Sequence, residues 1–210
     1  MQSPFSNSPG FGARSTDARF SHQSYIIKRK ALQLMGATLY LYGPGEQLVL
    51  WGARKAFKLK EDLRFYTDDT KTEEVLRVAA RSIMDFSAAY DVFDSRTDQK
   101  IGAFKRQGLK SSLVQDTWII MDAGDREVGQ VQEDSALLGM LRRYVEHVSL
   151  FLPQKYTATL GPLPVATYAR HSNPFSSRLD IDFSPDQNGA FDRRLDLALA
   201  MLLESIENKN

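Results

Sequence analysis

The chain has 210 residues, and Lys+Arg 27 against Asp+Glu 26 leaves a formal net charge of +1, so bulk attraction to nucleic acid or to acidic membranes has no support, no nucleic-acid partner is expected, and any anion binding must come from local clustering. The length suits one domain with a substantial core. Cys 0 excludes disulfides, thiolate metal sites, a cysteine nucleophile and palmitoylation.

Met1 to Ser24 is rich in Ser, Gly and Pro, lacks periodicity, and is expected to be a disordered tail ahead of a folded domain spanning 25 to 210. Pro4 and Pro9 do not form a P-x-x-P ligand. These first residues contain no continuous apolar stretch of about 7 to 15 residues, so a secretory signal is not expected. No apolar run anywhere reaches about 18 residues, the minimum for an ordinary membrane span. The expected location is the cytoplasm, with contact at the inner membrane surface left open.

Order is predicted to begin at Tyr25-Ile26-Ile27-Lys28-Arg29-Lys30, a strand-like stretch. A two-strand unit then recurs at intervals of roughly 24 to 38 residues. Its first limbs are Leu39-x-Leu41, Leu63-x-Phe65, Tyr90-x-Val92, Trp118-x-Ile120 and Tyr156-x-Ala158. Each runs into a polar or Gly/Pro turn and returns through Leu48/Trp51, Val75/Val78, Ile101/Phe104, Val128/Val131 or Val165/Tyr168. Hairpins of this kind cannot bury a face alone and must close on one another. Gly43-Pro44-Gly45-Glu46 reads as a tight turn, and the Asp-rich loops after Tyr66, Phe93 and Met121 read as turns whose carboxylates bond the backbone. Ala56 to Leu59 and Ser82 to Phe86 alternate as further short strands would.

Two helices are predicted. Asp134 or Ser135 can cap the first, whose stripe is Leu137, Leu141, Tyr144, Val145 and Val148. Its apolar face suits a lid over a barrel mouth or an interfacial helix beside Leu150 to Pro153. The second runs from about Ala190 to Ile206, and Leu195 to Leu203 carries one polar residue, Asp196. At about 1.5 Å per residue it is too short to cross a bilayer core of about 30 Å, so it must be surrounded by protein. The consistent solution is a mainly β, closed barrel of about twelve strands around a hydrophobic C-terminal helix.

Catalytic signals are weak. His22, His147 and His171 have no second ligand at a metal-binding spacing. No G-x-S-x-G, Walker or G-x-G-x-x-G string occurs. No enzymatic activity and no cofactor are expected. The basic stretches are Lys28-Arg29-Lys30, Lys55 with Lys58 and Lys60, Lys105-Arg106 with Lys110, and Arg142-Arg143. Strand alternation sets Lys58 and Lys60 together, opposite Phe57 and Leu59. Lys58, Lys60, Lys105 and Arg106 are read as outward cations that can hold a phosphate through charge-assisted hydrogen bonds, or serve as a solvated face.

The hairpins, the late helical insertion and the apolar terminal helix resemble the LURP-one-related proteins of the tubby-like C-terminal superfamily, which also includes the phospholipid scramblases. The strings Lys55-Ala56-Phe57-Lys58-Leu59-Lys60-Glu61-Asp62, Asp85-Phe86-Ser87-Ala88-Ala89-Tyr90-Asp91-Val92, Gln132-Glu133-Asp134-Ser135 and Asp192-Arg193-Arg194-Leu195 are similar to a bacterial branch. The resemblance spans about Ser24 to Glu207 and implies the same barrel around a helix. Tubby-type members bind phosphoinositides, scramblases are associated with calcium-dependent lipid movement, and plant LURP-one proteins are linked to defence. The scramblases' cysteine cluster is absent, and their proline-rich region is reduced to a short tail. Their calcium segment corresponds to Asp180 to Asn188, where Asp180, Asp182 and Asp186 are the candidate ligands, although the spacing is not that of an EF-hand. The bland expectation is that Asp180 and Asp182 face solvent near Arg178 while Leu179, Ile181 and Phe183 face the core.

Three functions follow as expectations. The first is a peripheral module for anionic phospholipid headgroups or the membrane surface; the second is a protein-interaction or regulatory scaffold with an unidentified protein partner. The third is scramblase-like lipid transfer, which requires the terminal helix to leave the barrel at a cost set by its buried area.

Overall fold

The computed structural model describes residues 15–32, 36–55, 62–81, 89–107, 117–134, 154–173 and 176–206. The short strands expected at 56–59 and 82–86, and the helix expected over 137–148, lie outside the described residues.

Twelve strands form a closed antiparallel barrel in which each strand pairs with its sequence neighbours and β1 closes on β12. They are β1 (Ser24–Leu32), β2 (Gly36–Tyr42), β3 (Leu48–Lys55), β4 (Leu63–Tyr66), β5 (Glu74–Ala80), β6 (Ala89–Asp94), β7 (Gln99–Arg106), β8 (Thr117–Asp122), β9 (Glu127–Glu133), β10 (Gln154–Leu160), β11 (Leu163–Asn173) and β12 (Ser176–Asp182). Every predicted two-strand unit is a hairpin of this barrel, from β2/β3 to β10/β11. Closure removes the exposed sheet edges that would otherwise template aggregation.

Period-two alternation sets the inner face. Tyr25 and Ile27 of β1, Leu39 and Leu41 of β2, and Leu179 and Ile181 of β12 are buried. The turns use local chemistry. Gly45 takes φ +68° in the one-turn 3-10 helix Pro44–Glu46, a conformation glycine adopts without a Cβ clash. Asp68, Asp94 and Asp122 accept from the amides of Thr70 at 2.9 Å, Arg96 at 3.0 Å and Gly124 at 2.9 Å, so these loop acids are turn formers.

The helix α1 (Arg193–Ile206) fills the barrel. Asp192 starts it, its Oδ1 accepting from the Arg194 amide at 3.0 Å. Leu195, Leu197, Leu199 and Met201 have 0 % exposure. Burying each such side chain contributes about 1.5–3 kcal/mol. Gly102 of β7 gives the helix room, since a Cβ there would lie 2.7 Å from Leu195 Cδ2 and 2.6 Å from the Met121 carbonyl oxygen.

Of the segment expected to be a tail, residues 1–14 lie outside the described residues, and residues 15–23 pack on the barrel before β1 begins. A short 3-10 helix, Ala18–Phe20, buries Phe20. Asp17 joins Arg96 at 2.9 Å, and Arg193 donates to the His22 carbonyl.

Candidate functional site

On β1, the residues alternating with Tyr25 and Ile27 project outward: Ile26, Lys28 and Lys30. Register places Lys28 beside Arg178 of β12 on one side and Tyr40 of β2 on the other. Tyr40 is opposite Trp51 of β3, Trp51 is opposite Tyr66 of β4, and Arg178 is opposite His171 of β11. One lateral row round the outer wall therefore passes from cationic to aromatic residues.

The cations sit on the rings. Lys28 Nζ lies 5.0 Å from the Tyr42 ring centroid, Lys30 Nζ 5.3 Å from Tyr40 and Lys71 Nζ 5.2 Å from Trp51. Tyr40 and Tyr42, two residues apart on one strand face, stack at 6.2 Å and 10°, and Trp51 meets Tyr66 at 6.3 Å. A ring face is electron-rich, so it holds the ammonium while leaving its remaining N–H donors available to water or an anion.

Carboxylates set the charge along the row. Glu46 takes Lys28 Nζ at 2.7 Å, which holds its carboxyl below the usual range. Asp180 accepts from Arg178 Nε at 2.6 Å and lies 3.4 Å from His171 Nε2. Beside the cationic end is a groove of about 550 Å³ that includes Ile26, Ala169, Lys155 and Arg178. The wall thus offers ammonium and guanidinium donors next to amphipathic rings.

The cations singled out from sequence are placed differently. Lys58 and Lys60 lie outside the described residues. Lys105 is exposed on β7, six strands from β1 in either direction round the closed barrel. Arg106 does not share that outward face. It follows Lys105 directly, pairs in register with core residue Trp118, and is half-buried on the side of Phe104, because successive strand residues alternate faces. Lys105 and Arg106 therefore do not form an outward pair.

The candidate calcium ligands serve other bonds. Asp180 holds Arg178, and Asp182 accepts from the Ser184 amide at 2.8 Å and hydroxyl at 2.7 Å. Asp186 is buried and accepts from the amides of Ala190 at 2.7 Å and Phe191 at 3.1 Å, fixing the turn into α1. Among the described residues no three His, Cys, Asp or Glu side chains form a metal-binding group.

Polar groups inside the barrel went unread in the sequence. Arg170 Nε meets Glu204 Oε1 at 2.8 Å, and Ser177 Oγ donates to Glu204 Oε2 at 2.8 Å. Arg194 bridges Asp192 and Asp94, each at 2.6 Å. Tyr168 donates to Asp196. The legible signal was charge on a helix that otherwise must be enclosed: Arg194, Asp196 and Glu204 each need an interior partner.

No helix among the described residues is long and apolar enough to cross a membrane. The sequence model of a family described as LURP-one-related matches residues 48–204, from the start of β3 into α1. No curated protein and no solved structure matches the chain.

Proposed function

The chain belongs to the LURP-one-related family, within the tubby-like C-terminal superfamily, and from that premise we propose that it is a non-enzymatic peripheral module for anionic lipid headgroups. The outer wall of β1 to β3 is the contact surface. The observation that carries this reading is the seating of Lys28, Lys30 and Lys71 on Tyr42, Tyr40 and Trp51.

Tyrosine and lysine side by side match the chemistry of a bilayer interface, where rings sit at headgroup depth and ammonium groups meet phosphates, while Trp51 is buried beneath Lys71. Each cation near an anionic leaflet contributes about 1 kcal/mol, so three or four give binding that is reversible and sensitive to salt. Lys155 and Arg178 at the neighbouring groove add donors for a headgroup that reaches past the rings. The enclosed helix favours surface attachment over insertion, since releasing it would expose Leu195 to Leu203.

Liposome flotation tests the reading. Attachment to vesicles containing phosphatidylglycerol or phosphoinositide, absent on neutral vesicles and reduced at near-physiological salt, is the expected result. Failure to float with any vesicle would reject lipid binding and favour the protein-partner scaffold.

A further inference from the structure

Asp196 stands out among the interior groups. It has 0 % exposure, its Oδ1 accepts from the Tyr168 hydroxyl, and its Oδ2 has no hydrogen-bond partner among the described residues. The other interior carboxylate of α1, Glu204, has both a guanidinium and a hydroxyl. An ionised carboxylate enclosed without a cation is strongly disfavoured, and such a group keeps its proton instead.

Among the described residues, the surroundings supply no compensating charge. From β11 the facing group is the Tyr168 hydroxyl, whose own ionisation burial pushes far upward, so it remains a donor. From the turn before the helix comes Asp186, a second negative group already bonded by Ala190 and Phe191. From β1 comes Tyr25, which donates to the Arg19 carbonyl. Strands β2, β5, β7 and β12 contribute apolar side chains such as Leu41, Leu76, Phe104 and Ile181. Arg29 and Arg106 lie near the far ends of β1 and β7, where Arg29 is level with Ser177 and the Glu204 end of the helix. On the helix itself Arg193 binds the His22 carbonyl, and Arg194 binds Asp94 and Asp192.

We propose that seating α1 in the barrel is coupled to retention of one proton on Asp196, so that the helix is held less firmly as pH rises toward neutrality. Burial pushes the Asp196 carboxyl up from 3.8 to about 7, with Asp186 adding to the rise and the Tyr168 hydrogen bond opposing it. The released helix ionises at the ordinary carboxylate value, whereas the seated helix stays protonated until about pH 7. The favourable contribution is therefore complete below the released value and is lost as pH rises from about 4 to about 7, on the order of tenfold in the seating equilibrium per pH unit. Above about 7 both states are ionised and the dependence levels off. The lipid reading is not required for this coupling.

The absence of cysteine allows a direct test. A single thiol from Ala198→Cys, at a position with 0 % exposure, reports opening through its labelling by 4,4′-dithiodipyridine relative to the unfolded chain. Protection should fall on the order of tenfold per pH unit between about pH 5 and 7, and become flat across that range when Asp196→Asn is added. A flat profile in the Asp196 background, or the same slope after Asp196→Asn, would overturn the proposal. If Ala198→Cys does not fold, amide exchange of α1 in the unmodified chain and in Asp196→Asn is read by the same criteria.

Discussion

Arg170 on β11 and Glu204 near the end of α1 meet at 2.8 Å with their side chains 5 % and 2 % exposed, so one buried ion pair ties the barrel wall to its central helix. Gln154 and Tyr156 accept from Arg170 Nη1 at 3.2 and 3.4 Å, and Ser177 donates to the second Glu204 oxygen. Removing one partner leaves a buried charge unopposed. Arg170→Met is expected to lower unfolding free energy by about 3–5 kcal/mol, whereas the double replacement Arg170→Met with Glu204→Leu recovers most of that loss. Urea titration of the single and double variants measures the difference.

The segment before β1 is predicted to detach in acid. Hydrogen bonds from Arg19 are the main cause that holds Asp17 at about 2, below its ordinary 3.8. Its contribution is present above about pH 4 and is lost as pH falls toward 2. Pepsin cleavage beside Phe20 should accelerate across that interval, and Asp17→Asn should make cleavage equally fast at pH 4.

Two glycines should respond differently to alanine. At Gly102 the added methyl meets both the Met121 carbonyl oxygen at 2.6 Å and Leu195 at 2.7 Å, so β7 or the helix must shift. Gly102→Ala is expected to cost about 1–3 kcal/mol through overpacking. Gly45 has φ +68° with open space around its Cβ direction, and Gly45→Ala should cost only about 1 kcal/mol from backbone strain. Thermal unfolding of the two variants gives the ranking.

Truncation inside the helix should exceed truncation at a turn. Leu199→Ala, at a residue with 0 % exposure, is expected to cost about 2–5 kcal/mol. Leu163, at the start of β11, is 63 % exposed, and Leu163→Ala should change stability by no more than about 0.5 kcal/mol. Equal losses at the two positions would contradict a barrel packed around α1.

The barrel was legible because its signals are local and periodic. Leu39 and Leu41 must share one strand face, and the Gly43 to Glu46 turn sends the chain back through Leu50 to pair with Leu41. The all-apolar stretch after Leu195 then required an enclosing wall. The candidate site was less legible because it depends on which strands become neighbours. Lys28, Tyr40, Trp51 and Tyr66 lie on four different strands and fall into one row only after three register choices. Lys105 and Arg106, both expected among the outward cations, are adjacent on β7 and are separated by the alternation of strand faces. Glu204 shows the same limit inside the barrel, where only closure supplies its partners Arg170 and Ser177.

Headgroup recognition by the aromatic and cationic wall is tested most directly by flotation of the unmodified chain and the Lys28→Glu/Lys30→Glu variant with anionic and neutral liposomes, at low and near-physiological salt. The account predicts that the unmodified chain floats with anionic vesicles only, that salt weakens this attachment, and that the folded variant remains at the bottom of the gradient. Equal flotation of the variant, or no flotation of the unmodified chain on anionic vesicles at low salt, would contradict it.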